Sequence, residues 1–231
     1  MYSHLFFDLD HTLWDFEKNA NETLSELFEK YNFKNTTTCS ETDFLETMHN
    51  INRELWQKHD ANEISQTQLR KDRFPLIFKA CNINLNEKIM QEFGNSYMKI
   101  CPTKPHLIPF TKEILDTLIS KQYKLFILTN GFADTQPQKL KSSGILPYFE
   151  KIITPQHAGA KKPDKAMFEY ALQQADIQPQ HALMIGDTPE TDILGGKNAT
   201  IDTVWYNPKK LVSAIEPTYQ INCLKDLLNF L

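Results

Sequence analysis

His4-Leu5-Phe6-Phe7-Asp8-Leu9-Asp10-His11-Thr12-Leu13 decides how the rest of the chain is read. An apolar run of strand length stops at two carboxylates separated by one leucine, which predicts a buried strand with acids at its end. Two acids in that place are costly unless a cation compensates them or a reaction uses them. Taken alone, the pattern also fits a plain loop in which Asp10 or Thr12 caps the next helix. Three distant segments bear on the choice.

Tyr123-Lys124-Leu125-Phe126-Ile127-Leu128 predicts another short strand, and it ends in Thr129-Asn130-Gly131. A hydroxyl, an amide and a glycine there supply the side-chain and close backbone donors that an anionic oxygen needs, although Asn-Gly is also a turn signal. Lys161-Lys162-Pro163-Asp164 precedes a helical pattern through Met167, Phe168, Ala171 and Leu172, with Pro163 suited to the first helical position. A lysine at that point can set its ammonium beside a phosphate, or simply stand solvated. Ala182-Leu183-Met184-Ile185-Gly186-Asp187 predicts a third strand, and Asp192 follows soon after. If the strands are parallel neighbours, Asp187 faces the same crevice as Asp8. The plainer alternative makes Asp187 or Thr188 a helix cap with acids in the first turn.

In this order the segments resemble the motifs of the haloacid dehalogenase superfamily of phosphotransferring hydrolases. Asp8, Asp10 and Thr12 match the first motif, Thr129 the second, Lys162 the third, and Gly186, Asp187 and Asp192 the fourth, over residues 5 to about 206. The resemblance implies an α/β fold: a Rossmann-like three-layer core with a mostly parallel sheet, and an α-helical cap domain inserted directly after the first motif. It implies Mg²⁺ held by Asp8, Asp187 and the backbone carbonyl of Asp10, with Asp192 behind them. It further implies Asp8 as a nucleophile forming an aspartyl-phosphate, Asp10 as general acid and base, and Thr129, Asn130 and Lys162 as holders of the phosphoryl oxygens. Carbon-halogen dehalogenases resembling this core lack the second acid, because a halide needs no proton, so Asp10 argues for phosphate chemistry.

Residues 8–16 and the run from Gly195 to Pro208 look most like the branch containing pyrimidine 5′-nucleotidases. That likeness makes nucleoside monophosphates such as UMP, dUMP and dTMP the first substrates to consider. The alternatives are a sugar-phosphate phosphatase, a phosphoglucomutase-like transferase, or a non-catalytic binding protein on the same fold. Arg53, Trp56, Arg70, Arg73 and Phe74 could offer a base a stacking face and donors. Equally, Trp56 and Phe74 could be cap core and the arginines solvated charges. Thr200 departs from the pattern, since relatives often have glycine after the Asn198-Ala199 equivalent.

Composition narrows the classes. With 231 residues the chain can bury a substantial core. A net charge of −4 and a pI near 6.0 give no general attraction to a nucleic-acid polymer, and no segment reads as a membrane span. Cys39, Cys81, Cys101 and Cys223 show neither Cys-x-x-Cys spacing nor a His cluster beside them, so zinc is disfavoured and reduced cysteines in a cytoplasmic protein are expected. The partner class is a small phosphorylated metabolite, and the sequence leaves the oligomeric state open.

Helical spacing covers about 16–31, 41–59, 65–81 and 86–100, and a proline-punctuated segment over 102–109 then leads into alternating helices and strands. These are helices near 111–121, 134–143, 164–175 and 190–199, strands at 123–128, 150–153, 182–186 and 201–206, and a terminal helix from about 223. The expected domains are a core of residues 1–13 and 106–231 and a helical cap of 14–105.

Overall fold

Why the chain forms a sheet is clearest at its centre, where every residue of β1 (His4–Phe7) and of its neighbour Ala182–Gly186 is buried. Continuous apolar runs of this kind suit strands covered on both faces, as in parallel α/β sheets. In the computed structural model, which describes residues 2–231, six strands follow: β1, β2 (Lys124–Leu128), β3 (Phe149–Ile153), β4 (Ala182–Gly186), β5 (Asp202–Tyr206) and β6 (Tyr219–Ile221). They lie in the order β3-β2-β1-β4-β5-β6 and every pairing is parallel. This is the doubly wound Rossmann order, which reverses direction between β1 and β4 and opens a crevice beyond the carboxyl ends there. Register sets Phe7 beside both Ile127 and Ile185, so the residues that follow leave the sheet at nearly one level.

The chain divides into two compact units, one of Met1–Asp15 with Pro105–Leu231 and one of Phe16–Lys104. The second is helical: α1 (Phe16–Lys30), α2 (Phe33–Thr36), α3 (Glu41–Asp60), α4 (Gln66–Ala80) and α5 (Glu87–Ile100). The helices α3, α4 and α5 start at Ser40, Ser65 and Asn86, whose side chains accept from the backbone N–H of Asp43, Gln68 and Ile89. Its interior is aromatic. Phe93 has ring centroids of Tyr31, Phe33, Phe44, Phe74 and Phe78 within 5.0–6.0 Å. In the sheet unit, α6 (Thr111–Ser120), α7 (Gln136–Ser142), α8 (Pro155–Ala158), α9 (Lys165–Ala175) and α10 (Leu194–Asn198) connect the strands. One face of the sheet packs Phe6, Phe126 and Met184 against Met167, Phe168 and Ala171 of α9.

Several expectations are corrected. Pro163 does not open a helix: Asp164 is the N-cap, accepting from Ala166 N–H at 2.9 Å, and α9 begins at Lys165. The helix expected over 190–199 is a π-turn at Pro189–Ile193 running into α10, and the terminal helix is a 3₁₀ segment, Leu224–Asn229. Leu224 and Leu227 are both buried, and a spacing of three suits either kind of helix. β6 escaped the sequence reading because three residues carry no period. Phe74 is buried in the aromatic core, Trp56 is half-buried against His59, and Arg53 is exposed and bonded to Asn50, whereas Arg73 is buried rather than solvated. The four cysteines are free, Cys81 and Cys101 buried, Cys39 and Cys223 half-buried. Among the described residues no helix is long and apolar enough to cross a membrane.

Thr200 follows the end of α10 with a φ of 59°, left-handed backbone that a β-branched residue adopts only at a cost. This is where the resemblance leads one to expect glycine. Thr200→Gly should therefore raise unfolding free energy by about 1 kcal/mol, read by denaturant titration, with the unchanged value counting against strain at this turn.

Candidate active site

Asp8 directly follows β1, Thr129 directly follows β2, and Asp187 directly follows β4, so three strand ends deliver polar groups to one edge of the sheet. Asp8 donates its backbone N–H to Ile185 O at 2.8 Å, extending the β1–β4 ladder by one bond and holding the carboxylate at the point where strand order reverses. Beyond it the chain folds tightly. His11 takes a φ of 66°, its N–H reaches Trp14 O, and Trp14 N–H returns to Leu9 O.

Lys162 Nζ lies at the centre. It is 2.6 Å from Asp8 Oδ1, 2.6 Å from Asp192 Oδ1 and 2.8 Å from Leu128 O, and the residue is 1 % exposed. Asn130 holds its backbone on both sides, accepting from Lys162 N–H at 2.8 Å and donating to Lys162 O at 2.9 Å. The Asn130 side chain thus positions the lysine, leaving its backbone as the group it can offer an anionic oxygen. Thr129 Oγ1 accepts from Gly131 N–H at 2.9 Å. Asp192, from the π-turn, meets Lys162 with one oxygen and Thr188 N–H with the other at 3.0 Å. Gly186 has to be glycine for this, since a Cβ there would collide with the Asp192 carboxylate.

Burial pushes Asp8 well above the ordinary carboxylate range despite Lys162, with Asp192 and Asp187 adding repulsion. Half-buried Asp187 is pushed up to about 7, first by desolvation and then by Asp192, while Thr12 Oγ1 donates to its Oδ1 at 3.3 Å. Burial alone would lower Lys162, but Asp192 and Asp8 outweigh it and hold the ammonium protonated. Three carboxylates therefore face one ammonium, and with all three ionised two negative charges would lack compensation.

Asp10 stands apart from that group. Lys139 Nζ reaches both its oxygens, at 2.6 and 2.8 Å, and Gln136 Nε2 donates to Oδ2 at 3.2 Å. Lys139 also sits 4.6 Å from the centroid of the Trp14 ring. Sequence reasoning missed both Gln136 and Lys139. Their spacing of three puts them on one face of α7, but a lysine in an amphipathic helix ordinarily reads as solvated, and only the fold shows it 7 % exposed.

The donor set suits a hard divalent cation. Asp8 and Asp187 would supply oxygen ligands, and the charge left over when all three carboxylates are ionised equals that of such an ion. Among the described residues no three His, Cys, Asp or Glu side chains form a ready-made metal cage.

The haloacid dehalogenase-like hydrolase profile matches residues 5–206, and the chain belongs to that family. It is 33 % identical to pyrimidine 5′-nucleotidase PynA of Streptococcus pneumoniae, over 100 % of this chain and 95 % of that one. With pyrimidine 5′-nucleotidase YjjG of Escherichia coli it shares 31 % identity over 96 % and 95 %. The HAD-hydrolase YfnB of Bacillus subtilis, solved bound to magnesium, superposes with a TM-score of 0.87 at 29 % identity, covering 99 % of this chain and 97 % of that one.

The raised Asp187 makes a signed prediction. Between about pH 4 and 7 the unfolded chain has released a proton that folded Asp187 keeps, so this group lowers stability as pH rises and the loss is complete above about 7. In the absence of divalent ions Asp187→Asn should gain on the wild type in melting temperature from pH 5 to pH 8. A difference that stays flat with pH would refute the assignment.

Proposed function

We propose that the chain is an Mg²⁺-dependent phosphomonoester hydrolase, with pyrimidine nucleoside 5′-monophosphates as its first substrates, acting through an aspartyl-phosphate on Asp8. The observation that carries this reading is the charge count at the carboxyl ends of β1 and β4: Asp8, Asp187 and Asp192 against Lys162 alone. Asp8, Asp187 and the backbone carbonyl of Asp10 would hold the ion, which when bound offsets charge on the nucleophile and the phosphate. The relatives PynA and YjjG support the nucleotide, and YfnB supports the metal.

Asp8 Oδ attacks phosphorus and the ester oxygen leaves, so that the difficult hydrolysis becomes two easier displacements. Asp10 gives the departing oxygen its proton and, then ionised, takes one from the water that attacks the phosphoaspartate. Lys162, the Thr129 hydroxyl and the Asn130 backbone N–H hold the transferring oxygens as charge builds on them. Lys139 and Gln136 set where the Asp10 carboxylate points, which keeps the acid-base group separate from the nucleophile.

Wild-type protein should release phosphate from UMP, dUMP and dTMP in Mg²⁺ and cease to do so in EDTA. Asp8→Asn should lower turnover by about three orders of magnitude or more while the circular dichroism spectrum is retained. Phosphate release that persists in Asp8→Asn, or that is absent across nucleotides and metals in the wild type, overturns the reading.

Asp10→Asn should cost about 10²–10⁴-fold on nucleotides and far less on p-nitrophenyl phosphate, whose leaving group needs no proton. Lys139→Met should cost about tenfold to a hundredfold on nucleotides, and nothing more once Asp10 is already Asn, because it acts through that carboxylate. Additive losses in the double variant would place Lys139 in some other role.

A further inference from the structure

Gly131 ends the turn after β2, and nothing in its backbone calls for a glycine. Among the described residues the glycines with positive φ are Gly144 and Gly159, so left-handed geometry is not the reason. Its N–H donates to Thr129 Oγ1 at 2.9 Å and is not turned to an incoming anion. What the position requires is space. A Cβ there would overlap the Gln136 carboxamide, whose Cδ lies 2.6 Å from that point, with Thr129 Oγ1 at 3.1 Å. Gln136 comes so close because the chain turns back at once: Thr135 N–H and Gln136 N–H both donate to Phe132 O, at 3.0 and 3.1 Å, and Gln136 is the first residue of α7.

The two ends of that carboxamide fare differently. Gln136 is 1 % exposed; its Nε2 donates to Asp10 Oδ2 at 3.2 Å, while its Oε1 is buried without a hydrogen-bond partner. Charge fixes which atom is which, since the amide oxygen turned to the Asp10 carboxylate would set acceptor against acceptor. A buried acceptor without a donor is a standing cost to the fold, and the bond gained in return is the one to Asp10. Lys139 Nζ bridges both Asp10 oxygens, but an ammonium is a point charge with rotatable donors and sets distance better than plane. The amide on Oδ2 supplies the second, directional hold. Residues 10, 129, 131, 136 and 139 all belong to the sheet unit.

We propose that Gly131 is a positioning residue for proton transfer: having no side chain, it leaves room for the Gln136 carboxamide to lie against the phosphate-holding turn and fix the Asp10 carboxylate. The inference rests on the phosphatase reading above, in which Asp10 is the acid-base group, and adds a residue that acts on it through another. A methyl group at position 131 meets the far end of a flexible side chain, so the fold yields by moving the Gln136 amide, and the bond to Asp10 is what is lost.

The test compares Gly131→Ala, Gln136→Ala and the double variant, each checked for folding by circular dichroism. The readout is kcat/KM, which covers the steps through departure of the leaving group, on UMP and on p-nitrophenyl phosphate in Mg²⁺. Expected in Gly131→Ala is a loss of about tenfold on UMP and little change on p-nitrophenyl phosphate, whose leaving group needs no proton. The double variant should be no worse than Gln136→Ala, because the methyl group then has nothing left to displace. Equal losses on the two substrates would put the effect in the phosphate-holding turn and overturn the proposal, as would an unchanged Gly131→Ala or losses that multiply in the double variant. Should Gly131→Ala not fold, the double variant decides: folded and equal to Gln136→Ala it supports the proposal, and further impaired it overturns it. Wild-type protein that releases phosphate from neither substrate overturns the phosphatase reading and this inference together; active wild type with an indifferent Gly131→Ala overturns the role of Gly131 alone.

Discussion

One ammonium between carboxylates that would otherwise repel one another is the constraint on which the rest of the sheet unit turns. Lys162 reaches Asp8 after β1 and Asp192 in the π-turn after β4, and it bonds the last carbonyl of β2. A single buried charge thereby ties together three chain segments far apart in sequence. Several other choices follow from keeping it in place. Asn130 is spent on the lysine backbone, Gly186 has no side chain so that Asp192 can approach, and Thr188 N–H occupies the second Asp192 oxygen.

The same site keeps its two central acids in unlike surroundings. Asp8 and Asp10 are two residues apart, but one lies in the group with excess negative charge and the other is clasped by Lys139 and Gln136. In the proposed reaction the nucleophile and the acid-base group need that separation, because carboxylates pointed at the same place would raise one another's pKa and blur the two tasks. The tight turn through His11 and Trp14 provides it, and Trp14 gives the Lys139 ammonium an aromatic face to rest on.

The helical unit follows another logic. Its interior is built from rings packed around Phe93, mostly edge to face, and its helices start at N-caps. Arg73 in that setting is an exception to the chain's own habit of pairing buried cations with carboxylates, its Nε being buried without a hydrogen-bond partner.

Local pattern determined much of this protein. The apolar runs ending in Asp8, Thr129 and Asp187 marked three of the strands, their order along the chain pointed to a parallel sheet, and the helical spacing before Pro102 marked the second unit. Such features are legible because each depends on neighbouring residues in one segment. Tertiary structure alone decided which side chains meet across segments. Nothing in the sequence pairs Lys139 with Asp10, 129 residues away, turns Asn130 toward Lys162, or leaves the buried Arg73 Nε without an acceptor. It also decided the short elements, β6 and the 3₁₀ end, and the left-handed Thr200, where the local preference of a threonine yields to the path the chain must take into β5. The physical reason is the same in each case: periodicity records which face of an element is buried, whereas charge pairing and backbone strain are settled by groups that come together only when the sheet has closed.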